Sequence, residues 1–498
     1  MDWSEDTGLR DGLRSLPVPD HGPDYLRRRD EALAAVAEPM HNGDTSTHGS
    51  ARLRVRSRWR RPVVGMTAAF VVLAAGLAIA LLATGNGGRT KQVSVPSKTA
   101  PGRPIAGAMP AIVGDELSGM ARGADGELWA WGQQHFRDAM TAELLERWDG
   151  VRWQTVPAPP GFIDGLAALS ATDVWVALAT DHGGRLAQWN GTAWTAVRAV
   201  DFVSTSATSN TLLAISSSDV WAVGLVARFR GQAAASPAKP SRSRTTTLHW
   251  DGRQWRSVPT PSLGPGTADV SLRLVRGVSS NDIWALGDYV RFRRKVIHGK
   301  VSWTAPRDEE FLLHWNGRRW SRQPWPTAQV STGPRDSIAL DDLAVSSDGV
   351  LWCEGRRWFG PDNAGDLFVP VVLRLAGGRW QIMASSASPS LPAHWQAFMP
   401  SSISLTSSRD VWIAGQNAGG SATRAILWHW DGAAWNVAAL GEAREPEHVA
   451  ARSVVALTPA NVWVLAVRNS NSDTLFQLDS FFLHFDGTTW RHVPAAPQ

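Results

Sequence analysis

Apolar and polar positions along this chain alternate in short bursts, and the bursts recur as two phrases. The first has the form "DVWAVG", and its tryptophan stands at Trp129, Trp175, Trp221, Trp284, Trp352, Trp412 and Trp463. The second has the form "HWDGxxW" and closes on Trp153, Trp194, Trp255, Trp320, Trp380, Trp435 and Trp490. Five residues before each closing tryptophan stand Trp148, Trp189, Trp250, Trp315, Leu375, Trp430 and Phe485. That offset never varies, whereas the distance between copies ranges from about 41 to 68 residues. Rigid motifs joined by elastic loops are what a radial repeat produces.

Each copy reads as four strands. The first is an apolar stretch ending in a Ser/Asp-rich turn, the second is "VWAVG", the third "LHW", and the fourth is "RQWRSVP", stopped by proline. Strands three and four meet at Asp149-Gly150, Asn190-Gly191, Asp251-Gly252, Asn316-Gly317, Asp431-Gly432 and Asp486-Gly487, with Ala376-Gly377 the exception. Such pairs tolerate the positive φ of a tight hairpin. A two-residue loop at Asp251-Gly252 would set Trp255 opposite Leu248 and put Leu248, Trp250 and Trp255 on one sheet face. A face this apolar needs a neighbouring face to cover it. Seven such sheets set radially cover one another, so the expected fold is all-β: a seven-bladed β-propeller of four-stranded blades over residues 111–495. Its blades should begin near Leu117, Gly165, Leu212, Leu274, Asp342, Ile403 and Val454.

One segment breaks the alternation. Residues 62–83, "PVVGMTAAFVVLAAGLAIALLA", carry no charge and can cross a hydrocarbon core of roughly 30 Å as a helix. Six arginines (Arg52, Arg54, Arg56, Arg58, Arg60 and Arg61) precede it, and only scattered cations follow. The positive-inside rule then expects residues 1–61 in the cytoplasm and the propeller outside, with 84–110 as a flexible Gly/Pro/Ser-rich linker. A cleaved leader would be far too long, and the arginine block argues against a core helix. The tail reads as mostly disordered with one short helix, and residues 1–50 offer a docking segment for a cytoplasmic partner.

Composition adds little to this. The net charge is +5, and arginine outnumbers lysine 45 to 5, so no nucleic-acid signature stands out. A single cysteine, Cys353, excludes an internal disulfide. No cofactor is implied.

The repeat phrases resemble the propeller repeats of bacterial cell-surface proteins, loosely those of the kelch and sialidase-type groups, over about residues 110–495. Tail and span add a resemblance to actinobacterial membrane proteins with an extracytoplasmic sensor. This likeness implies the fold and says little of activity. Copper radical oxidases resemble kelch propellers but need a Tyr–Cys crosslink, and Tyr289 is the only tyrosine of the repeat region. Sialidases need an arginine triad, a tyrosine and a paired acid. Tyr289 and Glu354 are present without a family motif around them.

Most tryptophans fall in the repeat columns and read as core. Trp303, Trp325, Trp358 and Trp395 fall in connections and are candidate ligand contacts, while Trp131 and Trp428 also lie outside the columns. His249, His314, His429 and His484 share one column, which reads as structure rather than as a metal site. The connections 1–2 and 3–4 are short and uniform, and the connections 2–3 and 4–1 are long and irregular. Function lives on variable loops held by a rigid scaffold. Two adjacent long loops are basic, with Arg228, Arg230, Lys239, Arg242 and Arg244 on one and Arg291, Arg293, Arg294, Lys295 and Lys300 on the other. The expected function is a non-catalytic surface receptor, sensor or scaffold. Its basic lip, with Trp303, Trp325 and Trp358, would take a cell-envelope polymer or an extracytoplasmic protein, and the attraction should weaken with salt. A glycan-active hydrolase or lyase is the alternative, and it would need carboxylates clustered at the central channel.

Overall fold

The computed structural model describes residues 112–497, apart from 124, 138–140, 181–182, 198–209, 227–243, 293, 298–299, 304–306, 331–335, 360–367, 386–397, 418–422, 439–447 and 473–474. The expected tail, span and linker at 1–110 lie outside the described residues. Among the described residues, no helix is long and apolar enough to cross a membrane.

Seven four-stranded antiparallel sheets follow one another along the chain. Blade 1 holds β1 (Ile112–Arg122), β2 (Leu128–Phe136), β3 (Thr141–Trp148) and β4 (Trp153–Thr155). Blade 2 holds β5 (Phe162–Ser170), β6 (Asp173–Thr180), β7 (Gly183–Trp189) and β8 (Trp194–Val197). Blade 3 holds β9 (Leu212–Ser216), β10 (Asp219–Val226), β11 (Arg244–Trp250) and β12 (Trp255–Ser257). Blade 4 holds β13 (Thr267–Ser279), β14 (Asp282–Arg291), β17 (Arg307–Trp315) and β18 (Trp320–Gln323), with a separate hairpin of β15 (Arg294–Ile297) and β16 (Lys300–Trp303) between its second and third strands. Blade 5 holds β19 (Asp336–Val345), β20 (Leu351–Phe359), β21 (Phe368–Ala376) and β22 (Arg379–Ser385). Blade 6 holds β23 (Phe398–Ser407), β24 (Asp410–Asn417), β25 (Ala425–Trp430) and β26 (Trp435–Val437). Blade 7 holds β27 (Val449–Thr458), β28 (Asn461–Ser472), β29 (Leu475–Phe485) and β30 (Trp490–Pro494). The first strand of each blade touches the first strands of both neighbouring blades, β1 touching β27, so these strands surround the axis and the ring is closed. The fold is a seven-bladed β-propeller.

The packing explains why the phrases repeat. The tryptophan of "DVW" in one blade inserts against the hairpin aromatics of the next. Trp221 lies 4.9 Å from Trp315 and 5.6 Å from Trp320, measured between ring centroids. Trp175 lies 5.4 Å from both Trp250 and Trp255. Trp463 closes the ring in the same way against Trp148 and Trp153, at 4.7 and 6.0 Å. Tilted and edge-to-face contacts of this kind are the favoured aromatic geometry. The neighbouring face is therefore the next blade, and the two phrases are the two halves of one joint.

The histidine column is structural. His249, His314 and His429 set Nε2 at 2.9, 2.9 and 2.6 Å from Asp219, Asp282 and Asp410, and His484 meets Asn461 at 2.9 Å. Each imidazole also lies on the tryptophan of its own blade, as His429 does on Trp412 at 4.0 Å.

Two details depart from the expected pattern. First, the hairpin between the third and fourth strands is a four-residue turn in six blades. Trp250 pairs with Trp255 across Asp251–Gln254, and Leu248 pairs with Ser257. The Asp251 carboxylate accepts from the amides of Arg253 and Gln254 at 3.0 and 2.9 Å, while Gly252 supplies φ of 85°. The side chain thus substitutes for the missing backbone acceptor and opens the loop. Leu248, Trp250 and Trp255 still share one face. The true two-residue hairpin is Gly377-Gly378 in blade 5, where Ala376 pairs with Arg379 and the Asp/Asn is absent.

Second, in six blades the first strand begins three to seven residues before the expected start. A register shift falls inside each of these strands, at Ser118, Asp164, Arg273, Asp341, Ser401 and Arg452. A β-bulge adds one residue and inverts the alternation, so the part of the strand before it does not read as a continuation. In blades 1, 4, 5 and 6 the glycine of "DVWAVG" stands opposite the bulge, where blades 2 and 7 carry Leu178 and Ala466. A Cβ on Gly355 would stand 2.0 Å from the Ala339 carbonyl oxygen, and one on Gly415 2.2 Å from that of Met399. Glycine is required there by close backbone approach.

Candidate functional site

The bulges place a polar residue on the inner strand of six blades. They are Ser118, Asp164, Arg273, Asp341, Ser401 and Arg452, with Asn210 in the matching position before β9. Several of them tie one blade to the next. Arg452 reaches Glu116 at 3.5 Å across the closing joint, and Ser401 donates to the Ala451 carbonyl at 2.7 Å. Side chains of the third strands bind the amide just before a bulge in the following blade. Glu143 accepts from Ile163 at 2.9 Å, Glu310 from Leu340 at 3.1 Å and Ser480 from Leu117 at 2.9 Å. In blade 5 the corresponding acceptor position is Pro370, and the facing position in blade 6 is Pro400, which has no N–H to donate.

The densest charge lies between blades 4 and 5. Arg273 pairs with Glu310 at 3.0 Å and donates to the carbonyls of Asp341 and Leu340. Arg356 grips Asp341 through two nitrogens at 2.9 and 2.7 Å, and Arg276 reaches Asp342 at 3.0 Å. Glu354 is fully buried beside them, and neither of its oxygens has a hydrogen-bond partner. Burial pushes Glu310 up to about 7, against the pull of Arg273. Burial raises Glu354 well above the usual carboxylate range, and Asp341 adds to that. Asp342 is raised by burial despite Arg276, and burial raises the Cys353 thiol. Carboxylates do cluster near the axis, as an enzyme would require, but Glu310, Asp341 and Asp342 are each held by arginine. Among the described residues, no group of three or more His, Cys, Asp or Glu side chains is arranged to hold a metal ion.

Tyr289 occupies a second constellation, on the second strand of blade 4. It is 2% exposed, and its hydroxyl donates to Glu309 at 2.5 Å. Arg291 donates to the same hydroxyl at 2.7 Å, to Glu309 at 2.9 Å and to the Leu263 carbonyl at 3.3 Å. Arg322 stands 3.4 Å from the hydroxyl. Tyrosine, acid and two arginines meet here, but the ring is sunk among Trp221, Leu272 and Phe311. The oxygen is saturated by its neighbours, so this arrangement is a cross-strand anchor rather than an exposed nucleophile.

The residues expected to contact ligand fall into three groups. Arg228, Arg230, Arg242 and Arg293 lie outside the described residues, as does Trp395. Arg244, Arg294, Lys295 and Trp303 lie on β11, β15 and β16. Arg291, Trp325 and Trp358 are built into the fold. Arg291 belongs to the Tyr289 anchor, Trp325 packs on the joint between blades 4 and 5 and donates to the Ile338 carbonyl at 3.2 Å, and Trp358 sits beneath the Arg356 guanidinium at 5.7 Å. Trp131 and Trp428 are buried core residues.

The connection expected to be an irregular loop after Trp284 is a two-stranded ribbon. Arg294 pairs with Trp303, and Ile297 with Lys300. Sequence alone missed this because arginine and lysine interrupt the alternation, although "VIHGKV" carries a hairpin signal. It named Glu354 without its place in the repeat, and it passed over Glu146. The clue was available, since each is the one acid in a repeat column that is otherwise apolar. Glu354 aligns with Trp131, Ala177, Val223, Leu286, Ala414 and Leu465, and Glu146 with Ala187, Leu248, Leu313, Leu373, Trp428 and Leu483.

No family model and no curated protein matches the chain. Solved structures share the architecture at low identity. A lectin of Aleuria aurantia in complex with a fucosyl disaccharide is 13% identical over 67% of this chain and 97% of its own, with a TM-score of 0.33. An acylaminoacyl peptidase of Pyrococcus horikoshii is 10% identical, with a TM-score of 0.44; the match covers 76% of this chain and only 52% of the peptidase. A Hadza microbial sialidase is 11% identical over 64% of this chain and 65% of its own, with a TM-score of 0.35. At these TM-scores the likeness carries no argument about function.

Proposed function

We propose that the chain is a non-catalytic binding module, a surface receptor, sensor or scaffold. Residues 62–83 would hold it as a single span with the propeller on the outer side of the membrane. It would take an anionic protein or cell-envelope polymer on the long-loop face. One observation carries the reading, the inequality of the two faces. The turns on one face repeat a single locked geometry, in which Asp149, Asn190, Asp251, Asn316, Asp431 and Asp486 each accept from two backbone amides. The other face carries connections of unequal length, among them a basic ribbon rising from blade 4. Variation is confined to the face where a ligand would be read.

The test is capture from an envelope extract by the full chain in neutral detergent, at low and moderate salt, beside a variant with Arg294, Lys295 and Lys300 changed to Ser. A ligand that is lost with salt and with the variant supports the reading. Equal capture by both proteins moves the site away from this face. A glycan-active enzyme is the second reading, favoured by Glu310 with its raised pKa beside Asp341 and Glu354. It requires turnover of a glycan that Glu310→Gln abolishes while leaving the fold intact.

A further inference from the structure

The ribbon of β15 and β16 follows β14 and precedes β17 in the chain. Along β14 and β17 the paired residue numbers run from Ile283 with Trp315 to Arg291 with Arg307. Along the ribbon Arg294 pairs with Trp303. Pairing along the ribbon is offset by one residue from that along β14 and β17, and the ribbon is a sheet of its own.

The root of this arm is rigid. Tyr289, Glu309 and Arg291 lock β14 to β17, Phe292 is buried, and its amide donates to the Gly266 carbonyl at 2.8 Å. Beyond the root the partners change. β14 also pairs with β13, and β17 with β18, but among the described residues the outer edges of β15 and β16 pair with no strand. In a four-residue strand about two residues turn their N–H and C=O outward on that edge.

Residues 293–303 carry Arg293, Arg294, Lys295 and Lys300, with no acid and no proline. Lysine on a free edge is a device against self-pairing, because two like-charged edges repel. The same charge favours a strand of opposite sign. Free backbone groups in register are matched by a polypeptide and not by a polyol or a polyphosphate, which have no repeating amide.

We infer that the β15–β16 ribbon is a docking edge for an extended acidic peptide segment of a partner protein, which joins it as an added strand. The inference rests on the proposed binding role and names its mode. Main-chain bonds would supply affinity, and Arg294, Lys295 and Lys300 would supply the choice of partner. The rigid root lowers the ordering cost of binding.

The test uses the full chain in neutral detergent and a fluorescein-labelled ten-residue peptide of alternating Glu and Val. Its controls are the matching peptoid, which has the same charges and no backbone N–H, and a short polyphosphate. Fluorescence anisotropy gives the affinities, and hydrogen exchange reports on residues 294–303. The expected result is a peptide Kd at least tenfold below that of the peptoid. Exchange should slow within the ribbon, and affinity should fall at least tenfold in the Arg294→Ser/Lys295→Ser/Lys300→Ser variant. That variant leaves Arg291 and the root untouched, and unchanged near-ultraviolet circular dichroism verifies its fold. If peptide, peptoid and polyphosphate bind alike and all are lost in the variant, strand addition is overturned while the binding role stands. If the variant binds the peptide as the parent does, or nothing binds, the ribbon is not the site and the basic-face reading falls with it.

Discussion

Glu146 should make the closed ring sensitive to pH. It lies on β3 with no exposed surface, in a column where the other blades carry apolar residues. One oxygen accepts from the Ala496 amide at 3.2 Å, and the other has no hydrogen-bond partner. Ala496 follows the last strand of blade 7, so this bond latches the end of the chain onto blade 1. No blade takes a strand from another, and blades 1 and 7 therefore share no sheet and rely on such contacts. Burial pushes Glu146 from 4.5 up to about 8.

The folded value is the higher one, so the folded state holds the proton more tightly than the unfolded chain. The resulting stability is fully present below about pH 4.5 and is lost as the pH rises through about 8. A shift from 4.5 to about 8 corresponds to a ceiling of about 5 kcal/mol. Lifting residues 494–497 away from blade 1 would let water reach the carboxylate, so the expected net loss is about 2–3 kcal/mol. Glu146→Gln keeps an acceptor for Ala496 and cannot ionise. Urea unfolding followed by tryptophan fluorescence at pH 5, 7 and 9 should show the two proteins close at pH 5, with Glu146→Gln more stable by that amount at pH 9. Glu310, Asp342 and Glu354 also have raised pKa values and bend both profiles alike, so the difference reports Glu146 together with Asp115, whose charge acts on it. Profiles that stay parallel from pH 5 to 9 would refute the latch.

Glu354→Leu should stabilise the chain by about 1–3 kcal/mol, because it removes a buried carboxyl with no hydrogen-bond partner from a column that holds leucine elsewhere; a lower urea midpoint than the parent's would show that the acid itself supports the joint between blades 4 and 5. Gly355→Ala should destabilise by about 2 kcal/mol or more, since its Cβ would stand 2.0 Å from a backbone oxygen on the bulged inner strand. Gly150→Ala, which meets no atom within 4 Å but has φ of 98°, should cost less, and thermal melts of the pair would test whether close approach outweighs backbone strain.

Much of this molecule was legible in its sequence because a repeat prints the same local solution seven times. The fixed offset between Trp250 and Trp255 reflects two cross-strand neighbours on one short hairpin. The Asp-Gly and Asn-Gly pairs mark turns whose chemistry is local, although the side-chain acceptor makes the loop longer than the dipeptide alone suggests. Blade number and strand number follow from counting, and covering each apolar face with the next leaves a ring as the outcome.

Only the tertiary structure decided what happens between blades. The bulges at Asp341 and Arg452 face Gly355 and Ala466 and meet the neighbouring blade, and a bulge erases the alternation by which a strand is recognised. Pairing of Arg273 with Glu310, and of Ala496 with Glu146, joins residues 37 and 350 positions apart, a distance no local pattern encodes. The register of ring closure was beyond the sequence for the same reason. It rests on Trp463, Ser480 and Ala496 meeting blade 1, and those contacts exist only once all seven blades are in place.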